Sequence, residues 1–233
     1  MLWNIDFTLV DVARVTRAAY AEAFEGVTGE PLVYLAPMAG RTDSELFFEF
    51  LARNDVPAGT EEETLPEFVE ALGDAFARRR DQLADQGRCL PGAREALAAV
   101  AELEDTVQTA VTGTAMANAV AKLAAFGLDS YLDVSIGGFG SENYPKASLI
   151  QFTRMRAAEA HQASFPERET VYVTDSVRDV EAAVIGRARP VAVASGSSTG
   201  RQLREAGAHH VLDDLGDTAS LLRAVRDTGN GPG

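Results

Sequence analysis

Residues 3–9 read Trp3-Asn4-Ile5-Asp6-Phe7-Thr8-Leu9. An apolar start followed by Asn, Asp and Thr predicts a short strand that ends in a polar turn. The residues after Leu9 decide how that strand is used. From 12 to 88 the signals are helical only. Val12, Val15, Ala19 and Ala23 recur at helical spacing, with Gly26 and Gly29 as stops. Thr42-Asp43-Ser44-Glu45 has capping-box spacing and leads into the stripe Leu46, Phe47, Phe50 and Leu51. Thr64-Leu65-Pro66-Glu67 repeats the signal ahead of Phe68, Val69, Leu72, Phe76 and Leu83. Three or four such helices on short links would bury their stripes against one another as a small bundle.

From Pro91 onward the pattern changes to strands alternating with helices. Helices are expected over 94–103, 115–126, 147–163 and 177–185, and from the capping box that opens at Thr199. Strands are expected over 106–111, 132–136, 170–173, 190–194 and 209–212. This alternation predicts an α/β fold: a parallel, Rossmann-like sheet covered by helices on both faces, to which the strand at 1–11 belongs. The helical bundle is then an insertion. The expected division is a core from 1–11 and 89–226, an α-helical cap from 12–88, and a flexible Gly/Pro-rich tail from 227–233.

With 233 residues and 46% hydrophobic content, the chain can build one sizeable core and a small accessory domain. A formal net charge of −14 with no basic face argues against a free-standing nucleic-acid binder. The single cysteine, Cys89, cannot close an internal disulfide, which fits a cytoplasmic protein. No apolar stretch is long enough for a signal peptide or a membrane span. His161, His209 and His210 have no metal-ligand spacing and are expected to be structural. The Gly137–Gly140 run lacks the strand–helix frame of a dinucleotide site.

In open parallel sheets, ligands bind beyond the carboxyl ends of the strands. That rule selects four turns: Asn4–Thr8, Thr112–Thr114, Gly137–Lys146 and Thr174–Asp179. Alone, each is ordinary: a turn, a strand end, a surface lysine, a capped helix. Together they make an acidic pocket with one cation. Clustered carboxylates need a counter-charge, and a hard divalent ion with a phosphate group suits such a pocket.

In that order the four turns resemble the motifs of the haloacid dehalogenase (HAD) superfamily. Asn4-Ile5-Asp6-Phe7-Thr8-Leu9 is similar to Asp-x-Asp-x-Thr, the strand ending at Thr112 to the second motif, Lys146 to the third, and Asp175-Ser176-Val177-Arg178-Asp179 to the fourth. The likeness spans the whole chain and is strongest to phosphoglycolate-phosphatase-like members with a helical cap after the first motif. It implies a Mg2+-dependent phosphatase acting on a small phosphorylated metabolite, as a monomer or homodimer. Position 4, when aspartate, attacks phosphorus, and Asp6 serves as acid and base. Thr8, Thr112, Gly113 and Lys146 hold the phosphoryl group. Asp175, position 4 and Asp6 hold the metal, with Asp179 as ligand or support. Arg41, in the cap turn Met38–Asp43, would pair with a carboxylate or second phosphate of the substrate.

The chain departs from the pattern at its most important position. Asn4 stands where the family keeps its nucleophile. An amide is a poor nucleophile, so the implied enzyme is slow or inactive. A non-catalytic phosphometabolite-binding relative and a phosphosugar mutase are the alternatives. Asp6 argues against the true 2-haloacid dehalogenases, which lack it. Phosphonoacetaldehyde hydrolases need a cap lysine, and the only lysines, Lys122 and Lys146, lie outside the cap. Phe7 and Thr174 replace frequent glycines. Only three residues precede Asn4, so the first strand is expected to be short, with a natural start upstream.

Overall fold

A computed structural model of the chain describes residues 1–54, 56 and 61–227. Strand β1 (Leu2–Trp3) lies inside a five-stranded sheet with β4 (Thr109–Ala110), β5 (Val171–Thr174), β6 (Arg189–Val193) and β7 (His210–Leu212). The strand order is β4-β1-β5-β6-β7, and every pairing is parallel. β1 is short but central. Leu2 pairs with Thr109 on one side and Tyr172 on the other, and Trp3 with Ala110 and Val173. Successive strand residues face opposite sides. Accordingly Trp3 enters one apolar cluster, while Leu2 joins Val111, Leu149, Ile150 and Tyr172 in another. The indole N–H of Trp3, fully buried, donates to Gln108 at 3.0 Å.

Helices α5 (Ala93–Ala101), α6 (Met116–Ala124), α7 (Lys146–His161), α8 (Val177–Ile185), α9 (Gly200–Glu205) and α10 (Thr218–Arg226) accompany the sheet. Between β1 and β4 come α1 (Ala13–Thr28), α2 (Asp43–Arg53), α3 (Glu61–Ala77) and the short α4 (Gln82–Gln86). Their apolar stripes meet as an aromatic cluster: Phe47 stacks on Phe68 at 4.3 Å, and Tyr20 meets Phe50 edge-on at 5.6 Å. The two links that join these helices to the rest are paired. β2 (Val10–Asp11) runs antiparallel to β3 (Arg88–Cys89), and Arg88 reaches Asp11 at 2.9 Å.

Several boundaries differ from expectation. The capping box at Thr42 forms as predicted, with Glu45 N–H on the Thr42 hydroxyl and Thr42 N–H on the Glu45 carboxylate. The one at Thr64 does not start a helix. α3 begins at Glu61 and carries Pro66 inside it. Gly26 lies within α1, which stops at Gly29 in the left-handed conformation. The link from α1 to α2 is longer than expected, and the Asn54 side chain holds it by accepting from Val33 and Tyr34 and donating back to Tyr34. The strand expected over 132–136 is replaced by a 3-10 turn, Val134–Ile136, which follows another at Asp129–Tyr131. Asp133 accepts from the Ser135 N–H and hydroxyl, a local bond that competes with strand pairing. α10 has no counterpart among the expected helices. Its start is fixed by Asp217, which accepts from Ser220 N–H. Of the expected tail, residues 228–233 lie outside the described residues.

Candidate functional site

Backbone pairing places the first motif. Asn4 N–H donates to Val173 carbonyl at 2.9 Å, and Trp3 carbonyl accepts from Val111 at 2.9 Å, so Asn4 sits where β1, β4 and β5 end together. The chain then turns tightly, with Leu9 and Val10 both bonding back to Ile5 carbonyl. Phe7 holds this turn at φ +59°, a left-handed conformation that costs a non-glycine residue about 1 kcal/mol. Its carbonyl accepts from the Ser195 hydroxyl.

Asn4 is buried and lies in a dense network. Its amide nitrogen donates to Asp6 carbonyl at 2.9 Å, Asp175 Oδ1 at 3.0 Å and Thr8 Oγ1 at 3.2 Å. Its Oδ1 faces Lys146 Nζ at 3.4 Å. The surroundings fix this orientation. Turned the other way, the amide oxygen would meet the carbonyl and the carboxylate while the nitrogen met an ammonium. Thr8, fully buried, donates to Asp175 at 2.9 Å. Burial, with the charge of Asp179 behind it, pushes Asp175 up to about 7, against the pull of Thr8, Lys146 and Asn4.

Lys146 opens α7 with its side chain 5% exposed, and it pairs with Asp179 at 2.6 Å. Asp179 also accepts from Thr174 at 3.1 Å and Ser176 at 2.8 Å. It is fully buried and does not line the cavity, so it positions Lys146 from behind. Thr112 N–H donates to Gly138 carbonyl at 3.0 Å, which holds Thr112 and Gly113 at the end of β4.

Asn4, Asp6, Thr112, Gly113, Lys146 and Asp175 line one cavity with about 500 Å³ of atom-free space, part of it open to solvent. The helical segment supplies the opposite wall: Ala13, Thr16, Tyr20, Met38, Gly40, Arg41, Asp43 and Leu46. Thr8 is behind the cavity wall rather than on it. Arg41 lines the cavity, but its guanidinium is paired with Glu49 of α2.

Two residues in this cavity were missed in the sequence. Lys122, on α6, is 1% exposed and grips both carboxylate oxygens of Asp6, at 2.8 and 2.9 Å. It also donates to Thr114 at 3.1 Å and lies 5.2 Å from the Phe76 ring centroid. Helical spacing puts Lys122 on one face with the buried Asn118 and Ala119, but it does not point to Asp6 as the partner. Asp43 is the other. It accepts from the Tyr20 hydroxyl and, at 2.9 Å, from Ala115 N–H. Burial holds its carboxyl above the usual range, opposed by the Tyr20 bond and the Lys122 charge.

The seam between helices and sheet is a backbone contact. Asp43 N–H donates to Gly113 carbonyl at 2.9 Å. A Cβ on Gly113 would fall 1.9 Å from Arg41 carbonyl, and one on Gly140 would fall 1.7 Å from Gly113 carbonyl. Three chain segments are stacked there at glycine thickness.

The donor set is incomplete for a divalent ion. Asp6 carbonyl and Asp175 Oδ1 are suitable oxygens, but the atom of residue 4 turned toward them is nitrogen. No group of three or more His, Cys, Asp or Glu side chains able to hold a metal occurs among the described residues. The arrangement as it stands does not fit the ion. A carboxylate at position 4 is what it lacks.

A parallel sheet covered by helices, with a polar cavity at its carboxyl edge roofed by an inserted helical segment, defines an α/β protein with its candidate site at the strand ends. The chain belongs to the haloacid dehalogenase-like hydrolases: the model of that family matches residues 1–183, and a second, HAD-hydrolase-like model matches residues 149–218. Among solved structures it is similar to a hydrolase from Pseudomonas syringae, with 24% identity, TM-score 0.67, and 96% of this chain and 97% of that one covered. It is also similar to a predicted phosphatase from Clostridium acetobutylicum, with 16% identity, TM-score 0.69, and 95% and 97% covered. A third is a predicted phosphoglycolate phosphatase from Haemophilus somnus, with 16% identity, TM-score 0.67, and 95% and 96% covered. No curated protein matches the chain in sequence. Among the described residues, no helix is long and apolar enough to cross a membrane.

Proposed function

We propose that the cavity is a phosphomonoesterase site whose nucleophile position is filled by Asn4, so that the chain binds a small phosphate monoester and turns it over slowly. The observation that carries this reading is the convergence of Asn4, Asp6, Thr112 and Lys146 on one cavity from separate segments of the chain. Lys146, steadied by Asp179, offsets charge on the phosphoryl oxygens. Thr112 and Gly113 line the same cavity, and in this reading the Thr112 hydroxyl and Gly113 N–H donate to the same group. Asp6 borders the leaving-group side, where its proton passes to the departing alkoxide and is recovered from the incoming water. With a carboxylate at position 4, its oxygen would bond to phosphorus as the ester P–O bond breaks, and water would then release phosphate and restore the carboxylate. The amide of Asn4 cannot do this at a comparable rate. A carboxylate at position 4 would, with Asp6 carbonyl and Asp175, complete an oxygen set able to hold Mg2+, which would supply charge to offset the phosphoryl oxygens.

The wall opposite the phosphate is apolar and polar in turn, with Arg41 already paired, so the substrate's organic part is small and weakly charged. The segment 12–88 acts as the cap. The single cysteine, Cys89, is free, which agrees with a cytoplasmic location. The test compares this chain with Asn4→Asp on p-nitrophenyl phosphate in Mg2+. The aspartate form should be faster by roughly a hundredfold or more. No turnover from Asn4→Asp would overturn the hydrolase reading, and ordinary enzymatic rates from the Asn4 chain would overturn the role given to the amide.

A further inference from the structure

We infer that the Asn4 amide is a built-in substitute for the cation, which makes the folded pocket independent of divalent metal. Charge and donor geometry both point this way. Asp6 carbonyl, Thr8 Oγ1 and Asp175 Oδ1 converge on a single point, at 2.9, 3.2 and 3.0 Å from Asn4 Nδ2. Such a ring of oxygens needs something electropositive at its centre. Two N–H groups shared among three oxygens meet that need without adding charge. The same amide turns its oxygen to Lys146 at 3.4 Å, so one neutral side chain bridges the acidic and basic halves of the site. An aspartate there would add another carboxylate beside Asp175 and Asp179, with Lys146 already paired to Asp179, and a bound cation would then offset the added charge. The asparagine therefore changes two properties at once. It removes the nucleophile, and it removes the demand for metal while the phosphate-facing groups Lys146 and Thr112 stay in place.

Metal independence concerns the same cavity as the hydrolase reading but is tested separately from it, because no readout involves turnover. Thermal unfolding of the Asn4 chain should be the same in EDTA and in about 10 mM MgCl2, within about 1 °C, and calorimetric titration with Mg2+ should show no site. Inorganic phosphate should raise the midpoint equally with and without Mg2+. Asn4→Asp should melt lower than the Asn4 chain in EDTA and rise by about 5 °C or more in Mg2+. Asn4→Ala, which removes the donor without adding charge, should melt lower than the Asn4 chain and gain nothing from Mg2+. That variant keeps the test open should Asn4→Asp not fold without metal. A Mg2+-dependent rise in the Asn4 chain equal to that of the aspartate form would overturn the inference. So would an Asn4→Ala variant as stable as the Asn4 chain. Inactivity of Asn4→Asp toward phosphate esters would leave it standing and count only against the hydrolase reading.

Discussion

Lys122 illustrates how one buried side chain holds another in place. It has no solvent and one carboxylate, Asp6, which it contacts through both oxygens. Replacing it with methionine keeps the aliphatic stem beside Phe76 but leaves Asp6 without its counter-charge. Asp6 is 29% exposed and can recover some water, so the cost falls at the low end for a broken buried pair. Lys122→Met should lower stability by about 2–3 kcal/mol, read from the urea midpoint at constant slope. An unchanged midpoint would mean that the pair contributes nothing net. Asn4, Asp6, Thr112 and Asp175 were picked out because they follow expected strands, and Lys146 rests on the family resemblance alone, since the strand expected ahead of it does not form. Lys122 and Asp43 were not, because they lie on helices whose pairing with the strand ends is a tertiary fact. Arg41 was readable as a cap residue, but its bond to Glu49, eight positions along the chain, was not.

At the scale of elements, glycines mark where segments touch and where they do not. Gly113 has the Arg41 carbonyl where its Cβ would be, whereas Gly26, inside α1, has nothing within 4 Å. Gly113→Ala should therefore destabilise by about 2 kcal/mol or more, since backbone has to move. Gly26→Ala should stabilise by up to about 1 kcal/mol from helix propensity alone. Parallel denaturant curves would check both. Gly113→Ala matching the parent chain would show that the seam opens at little cost. Elements with strong local signals, such as the capping boxes at Thr42 and Thr199, were legible in the sequence. The 132–136 segment misled because its apolar residues suggested a strand, while Asp133 held it in a turn. The capping-box spacing at Thr64–Glu67 misled in the opposite way, since it lies inside α3 together with Pro66.

For the whole molecule, the cap-to-core seam carries a pH signature. Asp43 is buried with its carboxyl raised by that burial, and Tyr20, Lys122, Asp6 and Ala115 N–H are the groups that face it. The folded chain thus holds the Asp43 proton to higher pH than the unfolded chain does. Stability from this group is greatest below the unfolded carboxyl value and is lost as pH rises through the raised folded value. Asp43→Asn should remove that part of the slope, so the stability difference between variant and parent should drift toward the variant as pH rises from about 4 to 8. A difference independent of pH would show that Asp43 stays ionised throughout. The α/β plan itself was legible because alternating strands and helices leave few topologies open. Which residues would press together at the seam was not, because that contact is made largely by main chain. Main-chain docking has an evolutionary corollary. The amide of residue 43 and the carbonyl of residue 41 would sit where they do whatever side chain residue 41 carried, so position 41 is free to vary in sequence while the helical segment stays fastened to the sheet.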